Sequence, residues 1–386
     1  MSCADSFIGG CIRVNGKGRS RVGVGRRSST PWTTVGLIVG VALLLVSVGT
    51  IGAGWAISER YEKNIKRADL LGDVPMTART DDTGATSDPA ESGIVGPLNF
   101  LVLGSDTRTA DPTVQADTVG ERSDTIMVIH VTADLQSAYV ISIPRDSYVQ
   151  VPAGGAWQGG KNKINSAFSF GGAPLAAKAV YELTGLPLDG AVVIDFNGVR
   201  TMVNAVGGVR VCTTYTVRSI HTQRVWKAGC NHMGGDSALD FMRQRYNVPG
   251  SDFGRIHNQQ LVLQSLLSRA VSRGTLTNPL RFDAFLRAAT NSITVDDNMD
   301  VQALALALRH LRPENMTFAT LPHTSDSLWT PYGTAVAVDE KAAADLFAAV
   351  NEDRLPEWQE TRSARTTSLV QGGPTPGGAP TPLPVN

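Results

Sequence analysis

Between positions 35 and 57 the chain reads VGLIVGVALLLVSVGTIGAGWAI, an apolar run without a charged residue. As a helix this stretch of about 23 residues spans roughly 34 Å, enough to cross a ~30 Å hydrocarbon core. It exceeds the ~7–15-residue apolar segment of a secretory signal, and no compelling A-x-A site follows. It is therefore read as one transmembrane helix. Before it, Arg13, Lys17, Arg19, Arg21, Arg26 and Arg27 stand against a single acid, Asp5. That bias keeps residues 1–34 in the cytoplasm as an unstructured basic tail, and everything after Ser58 lies outside. Residues 58–96 read as a stalk and linker: a mixed-charge stretch (58–70) that would prolong the helix, then a segment rich in Asp, Thr, Gly, Ser and Pro. Residues 361–386 form a Pro/Gly-rich disordered tail. What remains, 97–360, has the size of one large exported domain.

Inside that domain, short apolar runs alternate with helical spacing. Strands are predicted at 98–104, 124–132, 137–144, 191–196, 209–212 and 316–322. Helices are predicted at 173–184, with Pro174 near the first turn and Gly185 just past the end, and at 197–206, stopped by Gly207-Gly208. A long amphipathic helix covers 255–273, and two Ala/Leu-rich helices cover 299–311 and 340–350. Apolar strands interleaved with helices argue for a layered α/β/α sandwich. Ligands of such folds bind in loops beyond the strand ends.

Composition narrows the function. The 35 basic and 35 acidic residues cancel, which argues against a general nucleic-acid binder. Cysteine use follows the topology. Cys3 and Cys11 sit in the reducing cytoplasm, whereas Cys212 and Cys230 lie outside and are expected to pair. A zinc site is disfavoured, because His221 and His232 lack ligand spacing.

Only 18% of residues are charged, yet charges collect at predicted element ends. Strand ends carry Gly104-Ser105-Asp106-Thr107-Arg108, Arg122-Ser123-Asp124-Thr125 and Pro144-Arg145-Asp146. Lys163-Ile164-Asn165-Ser166-Ala167 follows. Later come Ala238-Leu239-Asp240-Phe241-Met242-Arg243-Gln244-Arg245 and Asp252-Phe253-Gly254-Arg255, the latter opening the long helix and running on to Gln259-Gln260. Each piece alone reads as a solvated loop or, for Asp252, a helix N-cap. Arg243 and Arg245 do not share a helical face, so joint use needs the helix to end or distort there. Together, arginine forks suit phosphate oxygens. Carboxylates at neighbouring strand ends suit a Mg²⁺ that bridges phosphate oxygens. The ligand this chemistry fits is a diphosphate with a divalent ion.

The ordered set G-x-D-x-R, R-S-D-T, I-P-R-D, K-I-N-x-A, A-L-x-F-x-R-x-R and D-x-x-R-x-x-x-Q-Q resembles the LytR-CpsA-Psr family of bacterial envelope proteins, over about 98–273. The resemblance implies a three-layer α/β/α sandwich with a central mixed sheet, preceded by one transmembrane helix. It implies a single-pass cell-membrane protein with an extracytoplasmic phosphotransferase domain. Such an enzyme moves a glycopolymer from a polyprenyl-diphosphate carrier onto peptidoglycan, at the muramic acid 6-hydroxyl, and releases polyprenyl phosphate. By similarity, Asp106 and Asp124 would hold Mg²⁺ or Mn²⁺. Arg145, Arg243 and Arg245 would grip the diphosphate, helped by Lys163, Arg255 and Gln259. Arg108 and Arg122 would orient carboxylates or phosphates, and Asp252 would support the arginines. Asp106 or Asp252 would be the general base. An apolar tunnel would hold the prenyl chain. Many relatives carry a basic residue just before Gln-Gln, where this chain has His257-Asn258.

Two other readings use the same residues: a pyrophosphatase acting on lipid diphosphates, and a non-enzymatic polyprenyl-phosphate binder or envelope regulator. The exported cysteine pair and the Ala/Arg/Gly-rich composition have an actinobacterial flavour, which makes an arabinogalactan-type polymer the first expectation.

Overall fold

The computed structural model describes residues 64–76, 94, 96–105, 123–246 and 248–362. The predicted basic tail, the transmembrane helix at 35–57 and the tail beyond 362 lie outside the described residues. No described helix is long and apolar enough to cross a membrane.

In chain order the strands are β1 (Lys66–Ala68), β2 (Leu98–Ser105), β3 (Ser123–Val131), β4 (Ala138–Ile143), β5 (Ser147–Val151), β6 (Gly160–Lys163), β7 (Gly190–Asp195), β8 (Val209–Thr213), β9 (Val217–Arg218), β10 (Val225–Trp226), β11 (Gly229–Met233), β12 (Ile293–Asp296), β13 (Met316–Thr320), β14 (His323–Thr330) and β15 (Gly333–Val338). The helices are α1 (Asn165–Thr184), α2 (Phe196–Ala205), α3 (Gly235–Arg243), α4 (Asp252–Ala270), α5 (Arg273–Leu276), α6 (Pro279–Ser292), α7 (Val301–Ala307) and α8 (Glu340–Asn351).

The fold is mixed α/β, built on a seven-stranded mixed sheet ordered β1-β12-β7-β2-β3-β4-β13. β2 runs parallel to β7 and antiparallel to β3, which is antiparallel to β4. Side chains alternate across the sheet, so Leu101, Leu103, Ile126, Val128 and Val193 bury one face against α1 and α8. Leu98, Phe100 and Val131 pack on the other face, with Leu304 of α7. A further apolar cluster joins α2, α3 and α4 to β8 and β11 through Val203, Val211, Phe241, Val262 and Leu266.

Local chemistry sets the helix limits. Asp195 accepts from Asn197 N at 2.9 Å and starts α2. Asp339 accepts from Ala342 N at 3.0 Å and starts α8. Gly185, at φ 68°, ends α1 with the left-handed turn its sequence suggested. Cys212 and Cys230 are directly opposed on β8 and β11 and form a disulfide.

The domain begins earlier than residue 97. Residues 66–68, read as stalk, form edge strand β1 against β12. Leu70, Leu71 and Val74 behind it join the core, and Asp296 Oδ2 accepts from Leu70 N and Leu71 N. A four-stranded sheet, β14-β15-β5-β6, was also not anticipated.

Candidate active site

The carboxyl ends of β2, β4 and β7 and the amino end of β3 share one edge of the central sheet, as the strand directions require. Asp124, at the start of β3, therefore lies beside Arg145, just past the end of β4. Arg145 Nη1 donates to Asp124 Oδ1. Arg145 Nε lies 3.4 Å from Asp146 Oδ2. Lys163 arrives from the end of β6, paired opposite Tyr148 of β5, and its Nζ is 3.6 Å from Asp146 Oδ1. The K-I-N-x-A segment fixes this corner through its backbone: Asn165 N donates to Arg145 O at 3.1 Å, and Ile164 N to Ser147 O at 2.9 Å.

The second half of the cluster comes from α3 and α4. Helix α3 stops at Gln244, whose backbone is extended at φ −70° and ψ 127°. Its buried side-chain amide donates to Asp240 O at 2.8 Å and accepts from Ile220 N at 3.1 Å, which pins the turn. Arg245 thus leaves the helix and reaches Asp252 Oδ1 at 3.2 Å. Arg255 meets the same oxygen at 3.0 Å and donates to Oδ2 at 3.1 Å. Asp252 is not the N-cap; Ser251 takes that place at φ 51°, a strained conformation for a side-chain-bearing residue. The carboxylate is thereby free to hold two arginines. Gly254 permits the tight return of the loop, because a Cβ there would meet Pro249 O at 2.5 Å.

Charge ties the two halves into one site. Burial opposes the charge on Arg145, but Asp124, Asp146 and Asp252 outweigh it and its pKa is raised. Burial drives Arg255 down to about 10; Asp252 opposes this, whereas the like charges of Arg245 and Arg145 add to it. Three carboxylates here face four cations, Arg145, Lys163, Arg245 and Arg255.

The polar atoms are incompletely satisfied. Among the described residues, the buried side-chain polar atoms without a hydrogen bond are Thr125 Oγ1, Arg145 Nε, Ser147 Oγ, Asn165 Nδ2, Arg245 Nη2 and Arg255 Nε. All belong to the site motifs or to the residue two positions past Arg145. Buried polar groups are ordinarily hydrogen-bonded. Here Arg145 Nε and Arg245 Nη2 have only the ion-pair contacts to Asp146 and Asp252, and Arg255 Nε has no hydrogen bond, so the cluster has donor capacity to spare. Guanidinium nitrogens in excess over carboxylates specify an anion with several oxygens.

The structure thus gathers Asp124, Arg145, Lys163, Arg245, Asp252 and Arg255. Arg243 is exposed at the last position of α3, and Gln259 is buried within α4. Asp106, Arg108 and Arg122 lie outside the described residues. Asp146, Thr125, Ser147 and Asn165 were not assigned roles; the I-P-R-D, R-S-D-T and K-I-N-x-A motifs contained three of them. A cavity of about 480 Å³, lined by Asn204, Arg224, Trp226, His232 and Asp236 among others, opens at the opposite end of α3 and holds none of the predicted site residues.

For a divalent ion, Asp124 is a suitable hard donor, with 28% of its side chain exposed. It stands among cations, and among the described residues no group of three or more His, Cys, Asp or Glu side chains could hold a metal ion.

The LytR_cpsA_psr family model matches residues 75–352. The cell wall biosynthesis protein LcpA of Corynebacterium glutamicum is 32% identical over 276 residues, 62% of this chain and 53% of LcpA. The match therefore spans about half the length of that relative. The polyisoprenyl-teichoic acid–peptidoglycan teichoic acid transferase TagU of Enterococcus faecalis is 30% identical over 214 residues, 55% of this chain and 66% of TagU. In fold, the crystal structure of B. subtilis TagV gives a TM-score of 0.55 at 24% identity, covering 68% of this chain and 98% of that one.

Proposed function

The chain belongs to the LytR-CpsA-Psr family, and on that premise we propose that it is a membrane-anchored extracytoplasmic phosphotransferase. It takes a glycopolymer from a polyprenyl-diphosphate carrier, joins it to peptidoglycan at the muramic acid 6-hydroxyl, and releases polyprenyl phosphate. The observation that carries this reading is the set of buried guanidinium nitrogens without hydrogen bonds around Asp124 and Asp252. The names of LcpA and TagU agree with a cell-wall role. Residues 35–57 would be the anchor, and an arabinogalactan-type polymer is the cargo we favour.

Phosphoryl transfer is mostly positioning and charge stabilisation. Arg145, Arg245 and Arg255 hold the diphosphate oxygens and stabilise the equatorial charge of the transition state. Lys163 and Arg243 extend the cationic surface; by the family resemblance Arg108 and Arg122 would orient carboxylates or phosphates, and Gln259 would assist the arginines. Asp252 serves Arg245 and Arg255. Asp124, with Asp106, would hold Mg²⁺ or Mn²⁺, which when bound neutralises phosphate charge. The acceptor hydroxyl oxygen bonds to the polymer-side phosphorus, and the bond from that phosphorus to the bridging oxygen breaks. Polyprenyl phosphate leaves, and the hydroxyl proton passes to a motif carboxylate, Asp106 or Asp252.

The prenyl chain needs an apolar path. Val102 and Val192 pair across β2 and β7, with Ile194 beside Gly104; all three side chains are apolar yet only half-buried. They support a greasy groove leading away from the β7 side of the site.

The purified full chain, given a polyprenyl-diphosphate-linked glycan, peptidoglycan and Mg²⁺, should yield a phosphodiester-linked product and polyprenyl phosphate. Arg145→Ala should slow transfer by about 10²–10³-fold. An unaffected variant removes the clamp. Products formed only with water would mean a pyrophosphatase, and tight binding without turnover a carrier.

A further inference from the structure

The four-stranded sheet places aromatic rings beside the clamp that the transfer step leaves unused. β15 runs parallel to β5, with Val336 opposite Ser147, and Val336 N donates to Asp146 O at 2.8 Å. The β14–β15 turn therefore stands level with Pro144–Asp146. A Cβ on Gly333 would come within 4.0 Å of Lys163 Nζ. Next to it, Tyr332 is 48% exposed and meets Trp157 edge to face at 6.0 Å between ring centres. Trp157 stacks in turn on Phe170 at 4.9 Å. On β14, Trp329 is 82% exposed, while its neighbour Thr330 is buried. Tyr246, directly after Arg245, is also exposed, and Phe253, directly after Asp252, stacks on His323 at 3.9 Å.

Trp329 and Tyr332 share the β14–β15 hairpin, and exposed large aromatic rings on one element mark a surface with a partner. Here the partner must suit both aromatic faces and an adjoining phosphate clamp. A glycan does: pyranose rings offer apolar C–H faces, and their hydroxyls match the polar edge of β14 at Thr324, Ser325 and Ser327. On the reading of the site given above, direction selects which glycan. In-line displacement brings the acceptor in opposite the leaving group. The leaving polyprenyl phosphate departs toward the groove on the β2–β7 side, whereas the β14–β15 turn that carries Tyr332 stands on the side of β4 and β5, beside Lys163.

We propose that Tyr332 and Trp329, backed by Trp157, form the platform on which the peptidoglycan glycan strand lies as acceptor. The full chain should be assayed as Tyr332→Ala, Trp329→Ala and the double variant, with a soluble peptidoglycan glycan strand as acceptor. The acceptor KM should rise about five- to tenfold in the double variant, with donor KM and acceptor-free donor hydrolysis unchanged. Tyr332→Phe, which keeps the ring, should behave as wild type. An unchanged acceptor KM, a raised donor KM, or a Tyr332→Phe variant as impaired as the alanine would each overturn the assignment. Co-sedimentation of the full chain with purified sacculi, without donor, reads the platform apart from the chemistry. Binding should weaken in the double variant and persist in Arg145→Ala. That arm decides the matter even if no transfer is observed, and equal retention of double variant and wild type would sink the platform.

Discussion

Strand β3 carries a buried polar cluster at each end, and the two are built to opposite rules. At its carboxyl end His130, with no exposed surface, has both ring nitrogens engaged: Nε2 donates to Asp353 Oδ1 at 2.7 Å, and Nδ1 lies 2.7 Å from the Oδ1 position of the Asn99 amide, which with its interchangeable NH2 turned inward donates to the neutral ring. Asp353 is occupied further by Ala133 N on its other oxygen, and Tyr139 donates to its carbonyl at 2.6 Å. At the amino end Asp124 opens a cluster in which three guanidinium nitrogens lack hydrogen bonds. Each cluster uses a residue at positive φ, Asp353 at 56° and Ser251 at 51°, so backbone strain does not separate them. Satisfaction does. A completed network fastens elements together, here the segment after α8 to the sheet. An incomplete one keeps a desolvation cost that an incoming anion relieves.

The largest effect should come from breaking the completed end. His130→Ala strips a partner from Asn99 and from Asp353 and leaves a cavity. It should lower unfolding free energy by about 2–4 kcal/mol. Urea denaturation reads this directly, and the m-value should stay constant. Affinity for inorganic pyrophosphate, measured well below the unfolding temperature, should not change. A loss of affinity as large as the loss of stability would mean that the two ends are not independent.

The incomplete end should respond with the other sign. Arg255 is 4% exposed, and its charge is disfavoured by burial and by Arg245 and Arg145. Arg255→Met replaces a costly cation with an apolar chain of similar length. Ligand-free stability should hold or rise, since buried ion pairs often yield to hydrophobic replacements without loss. Pyrophosphate affinity should fall by about 10–100-fold, the worth of one or two charge-assisted hydrogen bonds. Calorimetric titration beside thermal unfolding gives both quantities. A less stable Arg255→Met variant would show that the cluster holds the fold together and does not wait for a ligand.

The same contrast governs how much could be read in advance. β2, β3, β4 and β7 are largely apolar runs at the centre of the seven-stranded sheet, and such runs announce themselves. β1 is three residues, two of them charged, and exists only because β12 offers it an edge. β6 reads Gly-Lys-Asn-Lys, and β14 is exposed along most of its length, so neither carries an alternating signal. That is why the sequence pattern does not predict the four-stranded sheet or the exposed rings it carries. Motif order singles out Asp124, Arg145, Lys163, Arg245, Asp252 and Arg255, and the fold brings these six together. The spacing of Arg243 and Arg245 even required α3 to end or distort between them, and it ends at Gln244. Asp146 went unassigned because its meaning depends on Lys163, which reaches it only through the β5–β6 pairing. His130 sits among apolar neighbours in the second half of β3, and its partner Asp353 lies far along the chain.

The smallest effect, and the finest test of the contrast, is pH dependence. Burial lowers the His130 pKa below its ordinary 6.5, with the Asp353 hydrogen bond and charge opposing. The groups facing the ring are Asp353, Asp189, Asn99 and Tyr139. With the folded pKa below the unfolded one, the unfolded chain binds the proton more readily. Stability contributed by neutral His130 is therefore complete above about pH 6.5. It declines as pH falls toward the folded value, by at most about 1.4 kcal/mol per pH unit for one proton. His130→Gln has no such proton, so the difference in stability between wild type and variant should shrink as pH drops from 7 to 5, while other carboxylates titrate alike in both. If that difference stays constant across the interval, the ring does not titrate differently on folding. The completed end of β3 would then owe its hold to packing and hydrogen bonds alone.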